Sequence, residues 1–493
     1  MRVDTTYGPV EGVGESGVFA FRGIPYAAPP VAARRFRPPE PPESWSDARP
    51  ATTFGPQAPQ NLSALFAVFG IETPAPDEDC LTLNVWTPDP SGPPKPVMVW
   101  IHGGAFIQGS AGMAMFEGGT FARDGVVLVS MNYRLGALGF LHLAGIDAAG
   151  AGSCSNLGML DQLAALEWVR DNIERFGGDP GDVTIFGESA GAASVAVHLT
   201  SPAAKGLFHR AVLQSGALQT YCTAEHATDI ARRVLTECGI DPTLPLDLAQ
   251  LNALPVGTLL AAQKAVGEVN AEEATLNFSP VFDGVVLPHD PMAAVVGGSV
   301  ADVPLLMGTT RDELTLSLLS NPELAVSTRE AIVAKFEDLF GDRAGEIIAT
   351  YESNRPGAPP NDIYCAVVTD RYCRLPAARL AEAQLRAGGR VHMFEFAWPT
   401  PAFGGMLKAC HGLDVPFVFD HLDEAMGKLL TGGDAPQTLA DAMHSAWVAF
   451  AKTGDPGWPT YDSTTRTTMV FDDPCEVVDD LRGSERRLWD AVI

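Results

Sequence analysis

Val183-Thr184-Ile185-Phe186-Gly187-Glu188-Ser189-Ala190-Gly191 is an apolar run followed by Gly-x-Ser-x-Gly, and the small residues Ala192 and Ala193 come next. That order describes a buried strand turning sharply into a slim helix, with a serine at the apex of the turn. The turn crowds the residues two before and two after the serine, so only small side chains fit there. Gly187 and Gly191 fill both places, which makes Ser189 a candidate nucleophile. Alone the pentapeptide is a weak signal, and its surroundings decide.

Outward from this segment, short continuous apolar runs recur at Val97 to Ile101, Val126 to Met131, Ala211 to Leu213, Val303 to Met307 and Val391 to Phe396. Runs of this kind suit strands buried on both faces, as in a mostly parallel sheet covered by helices. Helical spacing lies between them. Leu160, Leu163, Leu166, Val169, Ile173 and Phe176 form one stripe ended by Gly177-Gly178, and Leu439, Met443, Trp447 and Phe450 form another ended by Gly454-Asp455-Pro456. The alternation predicts an α/β architecture. Ala217 to Ala301 is helix-like and poorly punctuated, which suggests an insertion over the sheet edge rather than a second domain. The expectation is one large domain over 1–493, with insertions at about 217–301 and 314–390 covering the active-site side.

The chain has 493 residues, 46% of them hydrophobic and 19% charged, which places it among globular proteins. With 60 acidic and 33 basic residues its formal charge is -27, which disfavours nucleic acid and anionic membrane surfaces as partners. No stretch approaches 18 uninterrupted apolar residues, and the first residues lack an apolar core with a cleavage site, so neither a membrane span nor a signal peptide is expected. Eight scattered cysteines without a C-x-x-C pair fit reduced thiols in a cytoplasmic setting. A monomer is the default.

A serine nucleophile needs a base, and the base needs an orienting acid; on this type of fold the chain order is nucleophile, acid, histidine. His392 falls within a strand pattern, His444 within a helix, and His421 begins a polar stretch. His411, in the loop Ala409-Cys410-His411-Gly412-Leu413, is the candidate base. The run Val303 to Met307 leads into Gly308-Thr309-Thr310-Arg311-Asp312-Glu313, where both carboxylates are placed to serve as the acid. Acyl transfer also needs N–H donors for the developing oxyanion. His102-Gly103-Gly104-Ala105-Phe106 follows the run ending at Ile101 and is a small-residue loop that can supply them beside Ala190. Gly12-Val13-Gly14-Glu15-Ser16-Gly17 matches a dinucleotide fingerprint, but it precedes the strand-like Val18 to Pro25 where a helix is required, so it predicts a hairpin turn. No metal-site signature is present, and no cofactor is expected.

Taken together, these residues resemble the type-B carboxylesterase family, which includes bacterial para-nitrobenzyl esterases and the cholinesterases. The resemblance is carried by Phe21 to Ala27, Glu78 to Trp86, His102 to Phe106, Asn132 to Gly136, Phe176 to Pro180 and Gly187 to Gly191. It implies an α/β-hydrolase fold and a serine carboxylesterase acting on small esters, short to medium or aromatic. Carbamate, amide or thioester cleavage is the alternative, and a non-catalytic binding protein the remote one. It further implies that Glu313 is the acid, that Gly104, Ala105 and Ala190 donate to the oxyanion, and that Ser215 supports the triad from behind. Gly103 and Glu188, inside the two motifs, are supporting residues. Arg35 with Glu78 and Arg134 with Asp161 are implied structural ion pairs. Phe106, Leu65, Phe66, Phe69 and Phe403 are the apolar candidates for the substrate pocket. Ala105 stands where the family often has a third glycine, and no tryptophan lies between Trp45 and Trp86, so a quaternary-ammonium cage is not expected.

Overall fold

A computed structural model of the chain describes residues 1–61, 71–144, 146, 155–218, 221–267, 269–270, 275–288, 290–320 and 325–490. Among them the largest sheet has eleven strands. In chain order these are β1 (Val13–Glu15), β2 (Val18–Pro25), β3 (Thr82–Thr87), β4 (Lys95–Ile101), β5 (Val127–Met131), β6 (Gly178–Glu188), β7 (Arg210–Gln214), β8 (Leu305–Thr310), β9 (Val391–Phe396), β10 (Thr468–Phe471) and β11 (Glu476–Val478). They lie side by side as β11-β10-β9-β8-β7-β6-β4-β5-β3-β2-β1. Neighbours from β10 to β5 are parallel. Antiparallel strands flank them on both sides. This is the α/β-hydrolase fold.

Each apolar run read from the sequence overlaps a strand of this parallel centre, because a strand buried on both faces favours apolar residues on both; Ser130, Thr184, His392 and Glu395 are buried polar exceptions. The two faces divide the side chains between two cores: Val97, Val99 and Ile101 enter one, Met98 and Trp100 the other. Trp100 packs on Phe186 at 4.8 Å and on Phe419 at 5.0 Å between ring centroids. The first core is covered by α1 (Leu157–Asn172), α2 (Ala190–Thr200) and α3 (Leu375–Arg386), the second by α4 (Gln437–Thr453). On α1, Leu160 and Leu163 are only half-buried, while Met159, Asp161, Gln162 and Ala165 are fully buried. The rest of the apolar stripe, Leu166, Val169, Ile173 and Phe176, is fully buried in this core, so the spacing gave the face correctly except in the first turn and a half, where the hydrogen-bonded Asp161 and Gln162 point inward. Gly12 to Gly17 does form the hairpin turn between β1 and β2, with Ser16 and Gly17 at positive φ.

The described part of the segment after Ala217 makes contacts with helices of the first core. Its helix Val256–Val266 lies on Gly136–Phe140, and Pro291–Val296 lies on α2 and α3. The second helical block, Arg329–Phe340, Ala344–Asn354 and Pro360–Thr369, has its own apolar core with Phe336, Ile347, Tyr351 and Trp489. That block ends before α3, whose Ala377, Leu380 and Ala381 join the sheet core. No helix among the described residues is long and apolar enough to cross a membrane.

Candidate active site

Parallel strands all end on the same side, and the candidate residues sit just beyond those ends. Ser189 follows β6 with φ 58° and ψ -123°, a conformation that costs of order 1–3 kcal/mol and persists only where its surroundings hold it. Here the ladder holds it, since Ser189 N–H donates to Gln214 O at 2.8 Å and Ser215 N–H to Gly308 O at 2.8 Å. A Cβ on Gly187 would sit 2.5 Å from the Gly191 carbonyl carbon, and one on Gly191 would run into the Ile101 carbonyl oxygen. The two glycines are therefore required by close backbone approach.

The loop after β4 lies against this turn: a Cβ on Gly103 would be 3.1 Å from Ser189 Cβ and 2.8 Å from Glu188 Oε2. Gly104, Ala105 and Phe106 have φ of 114°, 53° and 60°. The N–H groups of Gly104, Ala105 and Ala190 donate to no other described residue. Behind the loop His102 is fully buried, stacks on Tyr133 at 4.5 Å, and places Nδ1 2.8 Å from Gly103 O. Burial pushes its pKa down to about 4, so this imidazole is a neutral prop.

Glu313 begins the short helix after β8. Its Oε1 accepts from Thr310 N–H at 2.8 Å and its Oε2 lies 2.5 Å from His411 Nδ1. The other ring nitrogen, Nε2, lies 3.0 Å from Glu188 Oε1, and Ser189 Oγ makes no hydrogen bond to His411 in this structure. Catalytic hydrogen bonds in unliganded enzymes are often open and tighten with substrate. Burial disfavours the imidazolium of His411, but Glu188, Glu313 and Asp414 around it prevail and hold its pKa above the ordinary range. Glu188 in turn is pushed up to about 7 by burial, with His411 opposing.

A second polar chain behind the site has no counterpart in the sequence reading. Gln214, at the end of β7, donates to Asp414 Oδ2 at 2.7 Å and accepts from Trp447 Nε1 at 3.0 Å. Asp414 is fully buried, and burial pushes it up to about 6 against the Gln214 hydrogen bond. A carboxylate three residues after a loop histidine reads as a solvated charge, so nothing local distinguishes it. Ser215 is buried at φ 56° beside the elbow, and its hydroxyl has no protein partner among the described residues.

Phe106, at a positive φ, is wholly buried and packs on Phe140 at 4.9 Å between ring centroids. Phe403 is 36% exposed on the turn Ala402–Gly405, which packs on Ala425–Thr431. Leu65, Phe66 and Phe69 lie outside the described residues. The two implied ion pairs are formed. Arg35 grips Glu78 through Nε and Nη2 at 2.5 and 2.8 Å, and Arg134 grips Asp161 through the same atoms at 2.7 and 2.6 Å.

An α/β-hydrolase sheet, a strained serine turn and a carboxylate-held histidine together define a hydrolase of the serine type. The sequence profile of the Carboxylesterase family matches residues 1–489. The para-nitrobenzyl esterase of Bacillus subtilis (strain 168) is 40% identical over 494 residues, covering 98% of this chain and 97% of that protein. Phenmedipham hydrolase of Pseudarthrobacter oxydans is 36% identical over 496 residues, covering 97% and 96%. The crystal structure of a Geobacillus stearothermophilus carboxylesterase at pH 6.2 superposes with a TM-score of 0.88 at 38% identity, covering 99% of each chain. The chain belongs to the carboxylesterase family, and it hydrolyses carboxylic esters.

Proposed function

We propose that Ser189, His411 and Glu313 form the catalytic triad of this esterase, with the N–H groups of Gly104, Ala105 and Ala190 as its oxyanion hole. The observation that carries the reading is the 2.5 Å contact between His411 Nδ1 and Glu313 Oε2, which leaves Nε2 facing the strand end that bears Ser189. Ser189 Oγ attacks the ester carbonyl as His411 Nε2 takes its proton, and the three N–H groups receive the negative charge on the carbonyl oxygen. His411 then returns the proton to the leaving alcohol. Water repeats the sequence on the acyl-enzyme and releases the acid, while Glu313 keeps the imidazole oriented throughout.

Glu188 is a second carboxylate on the histidine, with a consequence for pH dependence. Removing a negative neighbour lets an imidazolium lose its proton more easily. In Glu188→Gln the acidic limb of kcat/KM for p-nitrophenyl acetate is therefore expected to move to lower pH. An unmoved limb would show that Glu188 does not face the working base.

The substrates we propose are short to medium or aromatic esters, a reading supported by the name of the Bacillus relative and by the methyl of Ala105 beside the donor loop. A panel of p-nitrophenyl esters from acetate to palmitate, with matched anilides and carbamates, tests it. Acetate to octanoate esters should turn over at least about 100-fold faster than the anilides, whose leaving group is poorer. Comparable rates on anilides or carbamates would reassign the reaction. One domain is supported by an apolar core that runs from Val3 to Tyr461. A cytoplasmic location is supported by the described cysteines, all of them free thiols.

A further inference from the structure

Asp312 was one of two carboxylates that the sequence offered as the acid. Its neighbour holds the histidine, and Asp312 makes a different set of contacts. Its N–H donates to Ala409 O at 2.9 Å, and its Oδ2 accepts from Ala409 N–H at 3.3 Å. The residue beside the acid is thus tied at two points to the residue two before His411. Arg311 Nε, 3.1 Å from the same Oδ2, fixes the Asp312 rotamer, and Arg311 Nη1 reaches Asp472 at 3.9 Å. A second tie runs alongside: Thr315 Oγ1 lies 2.7 Å from Asp312 O and 2.5 Å from Leu407 O. Lys408, between the two anchored residues, pairs with Asp362 Oδ2 at 2.6 Å.

We propose that Asp312, seconded by Thr315, is a positioning residue that braces the histidine loop against the acid-bearing turn and so sets the Glu313–His411 contact. The need for a brace follows from the topology. Glu313 and His411 come from separate loops, 98 residues apart in the chain, and the histidine loop contains glycines and residues at positive φ, including Lys408 and Gly412. The loop has no strand ladder at His411 to fix it. Asp312 supplies the equivalent of one ladder step, using a side-chain oxygen where a strand would use a carbonyl. The groups facing His411 are Glu313 from this turn, Glu188 from β6 and Asp414 from its own loop. The inference rests on the triad proposed above.

Asp312→Ala, read beside wild type and Ser189→Ala with p-nitrophenyl acetate, tests it. Displacing a catalytic group by about 1 Å costs up to about 100-fold. Asp312→Ala should lower kcat about 10- to 100-fold with KM within about twofold, and should shift the acidic limb of kcat/KM to lower pH as the Glu313 contact loosens. Asp312→Asn keeps an acceptor for Ala409 N–H and should retain kcat within about threefold. A folded Asp312→Ala enzyme with wild-type kcat and an unmoved limb overturns the proposal, as does an Asn variant impaired as badly as Ala. If Asp312→Ala does not fold, Thr315→Val serves in its place: a kcat loss of about three- to tenfold with the same limb shift supports the brace, and unchanged activity overturns it. An active Ser189→Ala enzyme would locate the failure in the triad itself.

Discussion

Ser189→Ala is expected to abolish ester turnover, lowering kcat for p-nitrophenyl acetate about 10⁶-fold while the protein remains folded. The size of the effect follows from what is lost: without Oγ no acyl-enzyme can form, and His411 and Glu313 have no proton to manage. What remains is water attack aided by binding and the N–H donors, worth about 10³- to 10⁴-fold over solution. Folding should not suffer, because Ser189 is held by its backbone N–H on Gln214 O and by the crowding of Gly187 against Gly191. Removal of the hydroxyl touches neither. Circular dichroism matching wild type, with activity lost, is the expected pair of results; a folded variant with more than about 1% of wild-type kcat would mean that the nucleophile lies elsewhere.

The second large effect is on stability. Asp161 has no exposed side-chain surface and Arg134 keeps only 3%, so Asp161→Ala leaves a guanidinium charge buried without its partner. Breaking such a pair from one side costs about 3–5 kcal/mol. Asp161 also accepts the Arg134 backbone N–H at 3.0 Å, and Arg134 Nη1 donates to Arg35 O and Arg37 O at 3.1 and 2.8 Å. The pair thus fixes β5's exit loop to the segment that carries Arg35, which is itself paired with Glu78. Urea unfolding should show the loss directly, and the double variant Asp161→Ala with Arg134→Met should be less damaged than Asp161→Ala alone, since no unpaired charge is left. Equal damage in both would show that packing rather than charge dominates there.

The parallel centre of the fold was legible because burial on both faces writes itself as short, mostly apolar runs, from Val97 to Ile101 through Val391 to Phe396, the last carrying the buried polar residues His392 and Glu395. The antiparallel flank was less so: β3 begins with Thr82 and contains Asn84, whose side chain bonds Gly23 N–H and Ser130. The strained turn at Ser189 and the small-residue loop after β4 were legible because backbone crowding restricts residue type within a few positions. The residues alone left Asp312 and Glu313 open, since both sit at the strand end, and only the resemblance pointed to Glu313, the one that contacts His411. Gln214, Asp414 and Trp447 were invisible, being 200 and 233 residues apart along the chain at their contacts.

The most direct measurement is labelling with a fluorophosphonate, whose fluoride a serine displaces only where a base activates the hydroxyl and N–H donors stabilise the anionic pentacoordinate transition state. Intact mass spectrometry should show one adduct per chain, peptide mapping should place it on Ser189, and Ser189→Ala should take up none. An unlabelled wild-type protein, or an adduct on any other residue that persists in Ser189→Ala, would contradict the assignment of Ser189 as the nucleophile.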